Sequence, residues 1–182
     1  FSAAGAKLDV DANVDFSGAF TMNANSVFDI ANAKTLTKSA SGISCGANNL
    51  QFITADGGTL ANTGGALAFT TGTLNADVSL TVSGAITVGG NATFSIANGK
   101  TVTYSGAAIA LGANTLVVNG VVGNGTFDNT NSINLAAASL LQLNQSTLTL
   151  VTQTVNAAAG KGIAVVTNAS TITTLTHTTG SR

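Results

Sequence analysis

The sequence predicts an all-β fold: a parallel β-helix (β-solenoid), three-faced, with about 22 residues per coil. Two observations carry this prediction. Residues 17–52 of the 182-residue chain reappear 66 positions later, and pairs of apolar residues recur at steps of seven or eight residues. Sequence repeats of this kind are typical of stacked, quasi-one-dimensional folds.

The long repeat aligns residues 17–52 with residues 83–118 without a gap, and 18 of the 36 paired positions are identical. The two copies are SGAFTMNANSVFDIANAKTLTKSASGISCGANNLQF and SGAITVGGNATFSIANGKTVTYSGAAIALGANTLVV. A β-sandwich of short antiparallel strands has similar turn spacing and is the alternative. Because a sandwich does not explain the gapless repeat, we expect residues 1–182 to form a single β-solenoid domain.

A shorter rhythm lies inside the 66-residue unit. Apolar pairs such as Phe94/Ile96 and Leu116/Val118 have the i, i+2 spacing that puts both side chains on one face of a strand. Asn and Gly between the pairs tolerate the backbone of sharp corners. Three strands then close a coil of 22 residues, and three coils make 66. Phe94 and Ile96 are expected to stack on Leu116 and Val118.

Composition argues against several functions. The chain has six Lys and Arg residues and 7% charged residues, too few to follow a nucleic-acid backbone. No apolar run reaches the length of a membrane span. Cys45 is the only cysteine, so no intrachain disulfide is expected, and we expect it in the core because Leu111 matches it in the second copy.

No catalytic site is evident, and the prediction is that the chain is not an enzyme. The β-helical enzymes that act on polysaccharides need clustered carboxylates. Outside the N-terminal region the acidic residues are scattered: they are Asp29, Asp56, Asp77 and Asp128. Arg182 is the only arginine, and His177 has no partner nearby in the sequence.

One segment could bind a cofactor, a calcium ion. Its oxygen-bearing residues at alternate positions are Asp9, Asp11, Asn13 and Asp15, spaced like the start of a calcium loop. Against this, Val14 stands where such a loop needs Gly, and the chain has no Glu to close the site. The same pattern predicts a strand over 8–16, whose inward residues are Leu8, Val10, Ala12, Val14 and Phe16.

Threonine pairs form a second candidate surface. The motif Thr-x-Thr occurs at 35–37, 101–103, 147–149 and 171–173. Outward threonines in a flat array can order water and bind ice. The motif is too sparse for every coil to carry it, and Thr is a good strand residue in any case.

The two ends of a solenoid expose unpaired strand edges. The sequence has no Pro and no amphipathic cap, and Ser146–Val155 is an uncharged alternating strand. These features predict a homo-oligomer or polymer joined through solenoid ends or strand addition. The alternative is that the chain is part of a longer solenoid whose ends are covered.

Segments such as SGAITVGGNATFSIANGKTVTYSG resemble secreted bacterial β-solenoid surface proteins of the autotransporter-passenger and filamentous-haemagglutinin style. The resemblance implies an extracellular or cell-surface location and a role in adhesion, biofilm or sheath formation. It transfers no functional residue. The expected function is a structural subunit of an extracellular filament, sheath or matrix. The alternative is an adhesin passenger segment that binds a host or sibling cell surface, with a polysaccharide as a further target.

Overall fold

The computed structural model describes residues 2–53, 56–121, 125–129, 133–135, 139–144, 146–150, 155–157, 163–167 and 171–172, and every regular element among them is a β-strand. In chain order the strands are β1 (Ala6–Val10), β2 (Val14–Asp15), β3 (Phe20–Thr21), β4 (Ser26–Ile30), β5 (Thr35–Thr37), β6 (Ile43–Gly46), β7 (Asn49–Phe52), β8 (Gly58–Phe69), β9 (Thr73–Ala76), β10 (Leu80–Val88), β11 (Ala92–Ala97), β12 (Thr101–Tyr104), β13 (Ile109–Ala110), β14 (Thr115–Val121), β15 (Gly125–Asn129), β16 (Ile133–Leu135), β17 (Leu140–Asn144), β18 (Ser146–Leu150), β19 (Val155–Ala157), β20 (Ile163–Thr167) and β21 (Thr171–Ile172).

These strands form a three-faced parallel β-solenoid, which confirms the predicted fold class. Face A stacks eight strands in the order β1-β4-β7-β9-β11-β14-β17-β20, and face B stacks β2-β5-β8-β10-β12-β15-β18-β21. Face C contains β3, β6, the second halves of β8 and β10, and then β13-β16-β19. All of the strand pairs are parallel, for example β1 with β4 and β2 with β5.

The coils are uneven in length, which corrects the regular 22-residue step. On face A, Leu8 pairs with Phe28 and Phe28 with Phe52, which are steps of 20 and 24 residues. Phe94 therefore pairs with Val118, and the expected pairing with Leu116 is wrong by two residues. The corners differ in length from coil to coil, so strand starts alone do not give the register.

The repeat copies lie three coils apart. The strands β4 and β11 carry matching residues, and β7 and β9 separate them on face A. The side chains of Phe28 and Phe94 are both 0% exposed in the interior of the rod. Large inward side chains stack from coil to coil, as in the edge-to-face contact between the Phe28 and Phe52 rings at 5.9 Å. Such aromatic pairs add about 0.5–1.5 kcal/mol beyond the burial of their area.

Corner side chains join each coil to the next, and the repeat preserves these bonds. The Oδ1 of Asn25 accepts a hydrogen bond from the backbone N–H of Asn49 at 2.8 Å, and Asn91 does the same for Thr115 at 2.9 Å. A second bond of this kind runs in the opposite direction, from the Nδ2 of Asn48 to the Met22 carbonyl and from that of Asn114 to the Val88 carbonyl. The repeat thus maintains corner hydrogen bonds as well as core packing.

The predicted continuous strand over 8–16 is wrong. The strand β1 ends at Val10, and β2 begins at Val14 on the next face, so that Ala12 lies exposed in a corner. Turn-forming Asp and Asn residues interrupt the alternation here. The predicted strand Ser146–Val155 is represented by β18, which ends at Leu150, and by the start of β19; residues 151–154 lie outside the described residues.

None of the helical segments sought as membrane spans was found in the described ranges: they hold no helix with the length and apolar character to cross a bilayer. The packing that stabilises the rod is instead concentrated in inward strand residues. Examples that are 0% exposed are Leu36, Leu60, Val82 and Val102, which follow one another on face B. The three faces therefore enclose one continuous apolar interior.

Two glycines at matching repeat positions should respond differently to substitution. Gly84 has φ of 121°, and a Cβ at this position would overlap the carbonyl oxygen of Asn62 in the previous coil. At Gly18 the same atom would meet nothing within 4 Å. Strained backbone costs about 1–3 kcal/mol. We expect Gly84→Ala to lower the free energy of unfolding by about 2 kcal/mol or more, and Gly18→Ala to change it little, in denaturant titrations followed by circular dichroism.

Candidate functional site

The first coil, formed by β1, β2 and β3, is the most distinctive surface in the described part of the chain. Each of these strands pairs within that part with one neighbour, β4, β5 or β6. Four inward residues of the coil pack on the core but stay partly exposed: Leu8, Val14, Phe16 and Phe20. Their register partners one coil further on are 0% exposed: Phe28 for Leu8, Leu36 for Val14 and Ile43 for Phe20. The exposure follows because no coil covers these side chains.

A shallow concavity of about 280 Å³ lies in this end of the rod. Its apolar lining comes from inward side chains of the first coil, including Leu8, Val14 and Phe16. Asp9 and Asp11 also line it. We call this surface, residues 6–20 with its concavity, the N-terminal end face. It combines exposed apolar side chains, strand edges and acidic groups.

A buried lysine holds the end face in shape. Lys38 follows β5 in the second coil, and its side chain is 0% exposed. Its Nζ donates hydrogen bonds to the Phe16 carbonyl, at 2.9 Å, and to the Gly18 carbonyl. The same ammonium lies 4.4 Å from the centroid of the Phe20 ring, which is a cation–π geometry. A charge that is buried in this way needs such partners, because burial without them is costly.

The second repeat copy has Tyr104 at the position of Lys38. The Tyr104 hydroxyl donates to the Ala107 carbonyl at 2.7 Å and accepts from the Ile86 N–H at 3.1 Å. Both side chains satisfy backbone groups at the same corner of the coil. The lysine stands beneath the end face, where it bonds to the coil before its own.

Charges on the flank of the end face are partly paired. The Nζ of Lys7 lies 2.6 Å from an Asp29 carboxylate oxygen and 3.3 Å from one of Asp9. Asp9 and Asp29 are register partners on neighbouring strands, so Lys7 offsets their mutual repulsion. The hydrogen bond from Asp29, followed by that from Asp9, raises the pKa of Lys7 above its usual value.

The structure separates the four residues of the proposed calcium segment. Asp9 lies on β1 and contacts Lys7, whereas Asp11 and Asn13 lie in the corner that follows. The Oδ1 of Asn13 accepts a hydrogen bond from the Thr35 N–H at 3.0 Å, and Asp15 is on β2. Among the described residues, no group of three His, Cys, Asp or Glu side chains is placed to hold a metal ion. The calcium site stays a sequence prediction.

The other acidic side chains with assigned contacts serve local structure. Asp56 lies 2.9 Å from the Nζ of Lys100, which lowers the pKa of Asp56, and it also accepts the Ser79 N–H. Asp77 accepts a hydrogen bond from Gln51 at 2.6 Å. Cys45 is buried in the core, as predicted, and burial raises its pKa to about 12. His177 and Arg182 lie outside the described residues.

A row of threonines on face B was missed by the sequence analysis. Thr35 pairs with Thr59, Thr59 with Thr81, and Thr81 with Thr103. These residues are half-buried, and they alternate along their strands with fully buried ones such as Leu36 and Val82. A search for Thr-x-Thr does not find Thr59 or Thr81, since Ala61 and Ser83 follow them. Aligning the sequence by coil reveals the row.

Replacing the buried lysine should loosen the end face locally. Lys38→Met removes the donor for the Phe16 and Gly18 carbonyls but keeps most of the side-chain volume. We expect backbone amides of residues 16–22 to exchange with solvent about tenfold faster or more, since unsatisfied buried polar groups cost about 1–3 kcal/mol. Hydrogen exchange with mass spectrometry measures this, and Lys34→Met is the matched control. Unchanged exchange at 16–22 would contradict the assigned role.

No protein-family model matches the chain, and neither a curated protein nor a solved structure matches it. The fold is accordingly defined by the chain's own strand pairing and burial. The similarity of its repeats to secreted bacterial surface proteins remains a prediction.

Proposed function

We propose that the chain is a structural subunit of an extracellular filament, sheath or matrix, which assembles through the ends of its solenoid by strand addition. The observation that carries this proposal is the N-terminal end face. Its Leu8, Val14 and Phe16 side chains are partly exposed, whereas inward side chains such as Leu36, one coil further on, are fully buried. A further coil placed on this face would complete the pattern that every interior coil already follows.

Two forces favour such an addition. Strands at the end of a sheet present backbone N–H and C=O groups that can pair with another chain. Full burial of a Val, Leu or Phe side chain is worth about 1.5–3 kcal/mol, and the exposed parts of Leu8, Val14, Phe16 and Phe20 would supply a share of that. Lys38 holds the corner beneath them, so less ordering is required when a second coil docks.

The sides of the rod are suited to close packing. The chain carries 7% charged residues and a formal net charge of -1. Low net charge promotes association of proteins. The outward residues of face A include Gln51, Asn75 and Ser95, which are small or amide side chains in register across three strands. Rods with such flanks could lie side by side in a sheath or matrix without strong repulsion.

A charge placed in the end face should block assembly. Leu8→Lys puts an ammonium among apolar residues that another coil would cover, and we expect polymer formation to fall about tenfold or more. Thr87→Lys adds the same charge at an exposed position in the middle of β10 and should assemble normally. Negative-stain electron microscopy and light scattering of the purified variants provide the measurement.

Two results would refute this function. One is a wild-type protein that stays a monodisperse monomer in negative-stain images across a range of concentrations, salts and temperatures. The other is an equal loss of polymer in Leu8→Lys and Thr87→Lys, because that would mean that charge anywhere on the rod, and not the end face, controls association. Circular dichroism of both variants excludes unfolding as the cause.

An adhesin that binds a cell surface is the second candidate, and the threonine row of face B favours it. Thr35, Thr59, Thr81 and Thr103 present hydroxyl groups in one line across four neighbouring strands. Neighbouring strands lie about 4.8 Å apart, so the hydroxyls form a regular array. Hydroxyls both donate and accept hydrogen bonds, as the polar groups of a surface polysaccharide do.

The adhesin candidate predicts binding by soluble rods. Thr81→Lys interrupts the row in its middle and should reduce binding to cells or to their purified polysaccharide about tenfold. Thr87→Lys, on face C of the same strand β10, should leave binding unchanged. Binding of labelled protein to cells in a sedimentation assay tests this, and rods that bind neither cells nor polysaccharide would overturn it.

A further inference from the structure

We propose that subunits join head to tail, with the N-terminal end face of one copy covered by the last coil of the next, and that opposite charges on the two ends select this orientation. This inference rests on the proposed assembly through solenoid ends. The occupant of the end face is therefore a second copy of this chain. Two independent observations support the orientation.

The first observation is strand direction. Every strand pair in the rod is parallel, and on each face the earliest and latest strands are the two ends of the stack: β1 and β20 on face A, β2 and β21 on face B. In a head-to-tail joint β20 of one copy runs parallel to β1 of the next, and the three faces stay aligned. A head-to-head joint would pair β1 with another β1 related by a two-fold axis, which reverses the strand direction.

The second observation is charge. The first coil, residues 2–20, holds Lys7 and three aspartates, Asp9, Asp11 and Asp15, and so has a net charge of −2. Lys7 is already in contact with both Asp9 and Asp29. After Asn129 the sequence contains Lys161 and Arg182 but no acidic residue. This segment supplies the late strands β16–β21 of all three faces.

The two ends thus carry opposite charge. When two N-terminal end faces approach each other, aspartates face aspartates, and such like-charge contacts suppress wrong pairings. An acidic end that meets the basic segment is attracted to it. A head-to-tail contact is heterologous, so it does not close on itself in a straight rod, and growth gives an open filament. Because the attraction involves exposed charges, added salt should slow growth.

A charge-swap experiment tests the orientation. Asp11→Lys makes the first coil less acidic, and Lys161→Asp makes the late segment less basic. Each variant alone should elongate about tenfold more slowly than wild type at low salt, because the two ends no longer attract. An equimolar mixture should recover growth, since each variant's altered end then meets a complementary end. Light scattering follows elongation, and electron microscopy confirms filaments.

The control is Asp77→Asn, which alters an exposed aspartate on the flank of the rod and should elongate like wild type. If wild type forms polymers but the mixture does not recover growth, or if Asp11→Lys associates with wild type into closed dimers, the head-to-tail orientation is wrong while end-to-end assembly stands. If wild type forms no polymer at all, the proposed function itself fails. Elongation that is insensitive to salt would also overturn the role of charge.

Discussion

The whole structure depends on one constraint: each strand pairs its backbone with the equivalent strand of the next coil. The pairing is parallel on all three faces and runs the length of the rod. Inward side chains are brought into register by it, so rings such as Phe28 and Phe52 meet at 5.9 Å. The same pairing cannot be completed in the first coil, where β1, β2 and β3 have no earlier described strand to pair with. Stability of the interior and exposure of the end face therefore have the same origin.

Polar corners make this pairing specific. Asn25 and Asn91 each cap an N–H of the following coil, and Lys38 and Tyr104 satisfy carbonyls at a matching corner. These side chains bond between coils, so they set which residues lie above which. The register they maintain is uneven, with steps of 20 and 24 residues on face A. A solenoid built this way tolerates unequal corners while keeping its apolar residues inside.

The proposed function follows from geometry more than from any reactive group. Acidic residues with assigned contacts, such as Asp56, bind local partners, and Cys45 is enclosed in the core. The distinctive surfaces are the N-terminal end face and the threonine row. The first suits the addition of a coil, and the second suits a hydroxyl-rich ligand. Both arise from stacking equivalent residues along one axis, which is the property that the repeat preserves.

The amino-acid sequence by itself determined the fold class, the three-coil repeat and the burial of Cys45, because strand alternation and self-similarity are local properties of the chain. It also indicated that the N-terminal region and the ends matter. Only the tertiary structure decided the register, the corner at Asp11–Asn13, the role of Lys38 and the alignment of Thr59 and Thr81 with Thr35 and Thr103. These depend on how many residues each corner takes up. Corner length is set by contacts between coils, such as the bond from the Thr35 N–H to Asn13, which are distant in sequence and leave no local pattern.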